Sequence, residues 1–521
     1  MELFIKRFSE LVKGTLSGFD RIVFKGCILP LMSCFEVMNF CRAKGILNKD
    51  YKSWMMTQTE LIVKDAEQFA INNCGQGIIH IPTWRTRKET LAHKRQQATR
   101  INSGLIGVWS CLEAGSSYRA AYSPDRGYPT LKPYKTRCKH LYFYFDDPEL
   151  GFMNIRLQTW FPYHIQVCLN GREWLRRSLE RRNIDFIVHG NKFLHIADYH
   201  QAQRLLNEQL DVRFAKLLNG FLPVVFPAME DILGPRLSYY WTLWQSEWAT
   251  DIITSSPDKL SGLMESLLRH AHMTGTSTRV LRYLDRPLTK AGKPDQRSSD
   301  NVITRLTDFN DGIRCRHWVD NNSVKVYNEQ NVLRVEATIN DPRKFYVYRN
   351  KQGESEDVPK QRRPLRKGLV DISLRAFISQ DINNRFMEDL SQLKDDTPVG
   401  DFIKTITCHT IKKGRRFRAL DPTGKDRELL QAISDPAFRI SGVTNKMLRE
   451  KFSGTLFGGK RTEKQLSAKI SRHLSLLRAH GLIRKLPRQH RYQLTLKGVK
   501  LTHMLNALLS ASTENLLGFA A

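Results

Sequence analysis

The sequence predicts a multidomain α+β chain: a mixed α/β body with antiparallel β-sheets, followed by a small C-terminal domain of helices and a hairpin. Three observations lead there. Apolar and polar residues alternate in short runs between residues 139 and 169 and again between 312 and 348. Helical spacing prevails over 35–73, 198–285 and 371–393. Residues 438–500 then change composition, with 16 Lys or Arg against two acids, Glu450 and Glu463.

That last block reads as helix, loop, longer helix, hairpin, helix. Thr444 can cap residues 445–452, and the loop 453–460 carries Gly454, Gly458 and Gly459. A helix over 462–480 stops at Gly481. Leu466, Ile470, His473, Leu474 and Leu477 share one of its faces. Residues 483–486 and 491–496 make the hairpin, with Tyr492, Leu494 and Leu496 turned inward and a basic tip at 487–490. This is the order of a winged helix-turn-helix. The run Ser475-Leu-Leu-Arg-Ala-His-Gly-Leu-Ile483, with Leu494-Thr-Leu-Lys-Gly498 after the hairpin, resembles MarR-like regulators. The resemblance implies a recognition helix in the DNA major groove and a wing on the backbone or minor groove. Arg461, Lys464, Gln465, Ser471 and Arg472 would then face bases, and Arg484, Lys485, Arg488 and Arg491 would hold phosphates.

In the body, residues 1–18 read as an amphipathic helix and 19–26 as a strand. Asp20 and Arg21 form either a strand-end ion pair or a catalytic or metal-binding pair. The stretch 115–137, rich in Ser, Tyr, Pro and Arg, reads as a connecting loop. Asn154, Arg156 and Gln158 alternate with Met153, Ile155 and Leu157, giving a sheet with one polar face on which nucleic acid could lie. Within the helical reading of 198–285, Tyr240, Trp244, Glu247 and Asp251 fall on one helix face. Carboxylates buried among aromatics can bind metal or act as acids; they can also rim a core stripe. A meander over 312–339 sets Lys325 and Tyr327 on one face of a strand, and Arg334, Glu336 and Thr338 on one face of the next.

The pattern Lys325-Val-Tyr327-Asn328 followed by Leu333-Arg334-Val-Glu336 resembles a segment of rolling-circle replication initiators. That resemblance implies a metal-dependent DNA nicking or strand-transfer enzyme of the mobile-element type. Glu336 and Asp20 would ligate a divalent metal, Mg or Mn, and Tyr327, Tyr239 or Tyr240 would be the nucleophile. The His-hydrophobic-His pair of those initiators is missing from every expected strand; His270-Ala-His272 ends a helical run instead. Across Ser17–Phe24, 152–175, 239–252 and 333–340 the chain is also similar to a bacterial family whose members are labelled regulators on account of their winged helix.

Composition sets the remaining expectations. The net charge of 82 − 52 = +30 extends beyond the C-terminal block, so a polyanion is the expected partner: DNA first, RNA second. An RNA-binding or assembly protein is the third reading. No apolar run reaches spanning length, and no signal peptide is evident. Nine scattered cysteines without a CxxC pair point to free thiols and a cytoplasmic chain. Zinc spacing and nucleotide-binding Gly-Lys-Ser/Thr loops are absent, so a divalent metal is the one cofactor anticipated, and only for an enzyme. Four segments are expected: an α/β region over 1–137, a central α+β region over 138–349 with a helical insertion, a basic linker and helices over 350–425, and the winged helix over 426–512.

Overall fold

The computed structural model describes all residues except 84, 287–300, 310–311, 351–358, 392–398, 413, 436–441, 460, 487–489 and 511–521. Two compact units emerge. The first comprises Met1–Met264, Tyr283–Arg286 and Thr307–Met387; the second comprises Glu265–Arg282, Pro287–Leu306 and Glu388–Ala521.

The first unit is built on one large, mostly antiparallel sheet. Its early strands are β1 (Val12–Cys27), β2 (Ile79–Ile81), β3 (Gly104–Ser123), β4 (Tyr128–Asp147), β5 (Gly151–Gln158) and β6 (Ile165–Asn170). A separate hairpin, β7 (Phe186–His189) and β8 (Lys192–Ile196), lies between these and β9 (Tyr240–Thr254) in the sequence. Then come β10 (Val302–Phe309), β11 (Gly312–Val319), β12 (Asn322–Glu329) and β13 (Val332–Ile339). The order across the sheet is β10-β11-β12-β13-β9-β1-β6-β5-β4-β3-β2, with only Thr307–Phe309 of the edge strand β10 in this unit. β2 runs parallel to β3. The first long strand of the chain thus sits in the middle, between β9 and β6.

The two faces of this sheet differ in character. One carries Phe19, Ile22, Phe24, Val167, Leu169, Ile155 and Phe143, packed against helices Cys34–Ala43 and Tyr51–Cys74 and, further along, Ile372–Leu390. Each large side chain removed from water there contributes about 1.5–3 kcal/mol before entropy is counted. The other face is polar over β5 and β6 and turns apolar toward β3, where Trp109 and Tyr144 join Ile81, Ala92 and Phe152. Directly opposed residues on neighbouring strands share a face, so Lys25, Gln166, Arg156 and Tyr142 form one transverse row across β1, β6, β5 and β4. The polar alternation expected of Asn154, Arg156 and Gln158 is present. Helices Gly171–Arg181 and Tyr199–Glu208 and the β7–β8 hairpin cover one part of this face, through Leu175, Leu179, Leu205, Leu206 and Phe193.

Several local expectations need correction. The N-terminal helix is only Glu2–Arg7, because the β-branched and aromatic run from Val12 favours a strand. The expected loop 115–137 is instead the outer half of the β3–β4 hairpin, paired continuously from Leu112↔Lys139 to Ser123↔Tyr128. Its Ser, Tyr and Thr content suits a two-sided polar strand as well as a loop. Residues 240–254 are a strand, not a helix. A spacing of four keeps two residues on one face in both structures, so Glu247 and Asp251 gave the same signal for either. The division expected after residue 137 falls inside β4.

In the second unit, helix Asn445–Phe452 is capped by the Thr444 hydroxyl, which accepts from the Met447 amide at 3.2 Å. Helix Glu463–Ala479 begins with a reciprocal capping box between Thr462 and Gln465. Strands Val443–Thr444, Arg491–Leu494 and Ile483–Lys485 form a three-stranded sheet in that order, followed by helix Leu496–Ser510. The core joins Leu448, Leu466, Ile470, Leu474, Leu477, Ile483 and Leu494 with Leu429 and Ile433. The last strand ends at Leu494 because the Thr495 hydroxyl accepts from the Gly498 amide and starts the next helix, so the expected strand 491–496 is shorter and Leu496 belongs to the helix.

Candidate functional site

The most chemically loaded place in the first unit lies on the polar face where β1, β9, β12 and β13 run side by side. The register explains it. Phe19 pairs with Trp248 and Arg21 with Glu247, so Asp20 is an extra residue, a β-bulge. The bulge changes the parity of β1: Phe19 points into the apolar core while Arg21 points to the polar face. Asp20 then reaches the same face as Glu247 and Asp251 of β9 and as Arg334 and Glu336 of β13, which pair with Asp251 and Ala249. Lys325 and Tyr327 of β12 oppose Glu336 and Arg334.

Arg334 is the hub. Its Nε and Nη2 donate to the two oxygens of Asp251 at 2.5 and 2.8 Å, Nη1 donates to Asp20 Oδ1 at 2.8 Å, and Nη2 also donates to the Asn191 carbonyl at 2.8 Å. Arg172 approaches Asp251 from the covering helix at 3.0 Å, and the Asn191 side chain donates to Asp20. Arg334, Asp251, Arg172 and Glu336 are at most 1% exposed. Lys325 Nζ lies 2.5 Å from Glu336 Oε1, and the Tyr327 hydroxyl donates to Glu336 Oε2 at 3.1 Å. Glu247 is half-buried and, among the described residues, accepts a hydrogen bond only from the Gln245 amide, at 3.1 Å. Arg21, exposed, lies opposite Glu247 across β1 and β9 and its Nε donates to Cys168 Sγ at 3.3 Å; Arg316, half-buried, stacks over Trp318 at 4.3 Å and donates to the Ser323 hydroxyl at 3.0 Å.

Asp20, Glu247 and Glu336 each bring a carboxylate oxygen within 4.8 Å of the other two. Burial pushes the Asp20 carboxyl up, and Arg334, already shared with Asp251, offsets this only in part. Burial likewise raises Glu336, with Lys325 opposing and Glu247 adding to the rise. Burial also acts on Asp251, but Arg334 and Arg172 outweigh it and hold that carboxyl below its ordinary value. The cluster therefore holds two carboxyls that prefer to share a further positive charge. All-oxygen ligation of this kind would fit a hard divalent cation such as Mg or Mn.

Of the residues singled out in the sequence, Asp20 and Glu336 come together although 316 positions separate them, and Tyr327 touches Glu336. Tyr327 is buried, and desolvation together with Glu336 raises its hydroxyl pKa well above the ordinary value, which suits a hydrogen-bond donor and not a nucleophile. Tyr240 is exposed but stands seven residues along β9 from Glu247, roughly 24 Å at strand spacing. Tyr239 is buried, donating to the Tyr163 carbonyl at 2.6 Å. Neither joins the cluster. Arg172 and Asn191 escaped the sequence reading; Glu247 is among the carboxylates the sequence offers for metal binding or acid chemistry, but on a helix face and apart from Asp20 and Glu336, whereas the structure sets it on strand β9 beside them.

In the second unit, Arg461, Lys464, Gln465, Ser471 and Arg472 are exposed, together with Ala468 and Ser475. Gln465 is engaged in the capping box, and the Ser471 hydroxyl accepts from the Asn445 amide at 2.9 Å. Arg484 donates to Gln493 at 2.8 Å and Thr278 at 3.0 Å; Lys485 and Arg491 are exposed. Arg488 lies outside the described residues. No helix among the described residues is long and apolar enough to cross a membrane. No family model, curated protein or solved structure matches the chain.

Proposed function

We propose that the chain is a nucleic-acid-binding protein that docks on DNA through a winged helix formed by residues 443–510. The observation that carries this reading is the outward face of helix Glu463–Ala479. It presents Lys464, Ala468, Ser471, Arg472 and Ser475 to solvent with no bulky apolar side chain among them, in a block of 16 basic and two acidic residues. Small and basic residues on an exposed helix allow close approach to a groove, and the exposed Lys485 and Arg491 flank the hairpin that would form the wing. Anisotropy titrations of labelled duplex DNA between 50 and 200 mM salt test it. Lys464→Ala and Arg472→Ala should each reduce the salt slope by about 1. Slopes equal to wild type would remove this helix from the interface, and tighter binding of structured RNA at equal salt would favour the RNA reading.

A second reading is favoured by the convergence of Asp20, Glu247 and Glu336: metal-dependent cleavage of a phosphodiester on the polar face of the first unit. A divalent cation there would supply Lewis-acid polarisation of a phosphoryl oxygen. The chain would contribute Asp20, Glu247 and Glu336 as ligands, Arg334 and Tyr327 to orient two of them, and Arg21 and Arg316 to receive phosphate. Incubation of supercoiled DNA with Mn²⁺ or EDTA decides it. Metal-dependent nicking lost in Glu247→Gln supports the reading; intact DNA under both conditions ends it.

A further inference from the structure

A second polar concavity lies on the same sheet face, outside the carboxylate cluster. Lys25 of β1, Arg156 and Gln158 of β5, His140 of β4, and His164 and Gln166 beside and within β6 line a cavity of about 150 Å³. The register puts them there: Lys25↔Gln166 and Arg156↔Gln166 make one row, and His140↔Gln158 makes the next. His164 closes the second row, since its carbonyl accepts from the Gln158 amide at 2.9 Å.

We propose that this cavity is a binding site for a single phosphate-type oxyanion, either free phosphate or one phosphodiester of a nucleic-acid strand. Four observations carry it. All the ionisable side chains that line the cavity are basic: Lys25, Arg156, His140 and His164. The nearby acid, Glu113 on β3, is already bound by Arg156 at 2.9 Å and Lys88 at 2.8 Å, whereas Lys25 has no ion-pair partner among the described residues. Buried hydrogen-bonding capacity is left over, since Arg156 Nε and His164 Nδ1 have no hydrogen-bond partner among the described residues. The volume suits one small anion and is well below that of a nucleoside-sized pocket. The mutual repulsion also registers chemically: burial, then the neighbouring cations, depress His164 to about 4, and burial and then Arg156 depress His140 to about 4. Next to the cavity, Lys25 Nζ lies 5.0 Å from the ring of Trp244, an exposed indole that Lys367 also covers at 3.7 Å. An exposed aromatic beside a phosphate site is the pairing with which single strands are held, base on ring and backbone on cation.

This inference does not depend on the winged-helix reading. It is tested on the full chain by calorimetric titration with inorganic phosphate and, separately, with a ten-nucleotide oligothymidylate. The variants are Lys25→Gln, a half-exposed side chain without an ion pair, and Gln166→Glu, which puts a negative charge into the row; unchanged circular dichroism melts establish folding. Each variant should weaken binding more than ~10-fold, about the loss of one charge-assisted contact. Loss for both ligands marks a general oxyanion site. Loss for the oligonucleotide alone assigns the site to a strand backbone, and loss for phosphate alone assigns it to a free anion. Failure of both ligands to bind, or wild-type affinity in both variants, overturns the proposal. Duplex binding through Lys464 and Arg472 is read independently of all these outcomes.

Discussion

Arg334→Met removes the guanidinium that ties β13 to β1 and β9 while keeping much of its bulk. Four hydrogen bonds disappear: two to Asp251, one to Asp20 and one to the Asn191 carbonyl. Breaking a buried ion pair from one side costs about 3–5 kcal/mol, most of it the penalty for the carboxylate left behind. Here Asp251 keeps Arg172 at 3.0 Å and Asp20 keeps the Asn191 amide, so the lower end applies: ~3 kcal/mol, or roughly two powers of ten in the folding equilibrium. Urea unfolding followed by tryptophan fluorescence isolates the effect, because all nine tryptophans belong to the first unit. The loss should be largest at pH 7 and shrink toward pH 4. In the variant, Asp251 loses its main counter-charge and its folded-state pKa rises, and the Asp20 carboxyl, already raised by burial, rises further. Falling pH then protonates them in the folded state first and recovers stability, whereas in the wild type Asp251, held low, gives up its contribution only below its unfolded pKa. A loss under ~1 kcal/mol at pH 7, or one independent of pH, would refute the view of Arg334 as the hub.

Three further outcomes are expected. Mn²⁺ should raise the first unit's thermal midpoint in the wild type and not in Asp20→Asn or Glu247→Gln; an equal shift in all three would place any bound metal elsewhere. His140, buried and held neutral down to about 4, must take up a proton on unfolding at lower pH, so wild-type stability should fall by up to ~3 kcal/mol between pH 6.5 and 4. In His140→Gln that part of the pH dependence should vanish; an unchanged profile would assign it to other groups. Gly171→Ala would put a Cβ 2.2 Å from the Phe19 carbonyl oxygen, at the point where the helix bearing Arg172 crosses β1, and should cost about 1–3 kcal/mol; a neutral result would show that this crossing can relax.

Much of the second unit was legible from sequence because its signals are local. Thr444, Thr462 and the 3.6-residue spacing of Leu466, Ile470, Leu474 and Leu477 act within a few residues, and helices 445–452 and 463–479 stand almost where they were expected. The first unit was less legible for the opposite reason. Its long strands carry polar side chains on one face, so the alternation that marks a strand looked like a loop in 115–137, and even-numbered spacing in 240–251 imitated a helix. Asp20 and Glu336 each stand out in the sequence as acids at strand positions, but nothing local announces that a one-residue bulge in β1 aims Asp20 at β13. The pocket row Lys25–Gln166–Arg156 is likewise a product of register between strands, not of neighbours in sequence.

The central place of β1 carries a consequence for how the chain is made. Asp20 must await Arg334, which follows 314 residues later. At 5–20 residues per second, roughly 16–60 s of synthesis separate the two. For most of that interval, until β9 (Tyr240–Thr254) has been made, the sixteen-residue strand β1 has an edge without its permanent neighbour. A ribosome-bound nascent chain therefore keeps both edges of β1 open until β6 is made and one open until residue 254 emerges, and that is the window in which a holding chaperone would act on yield.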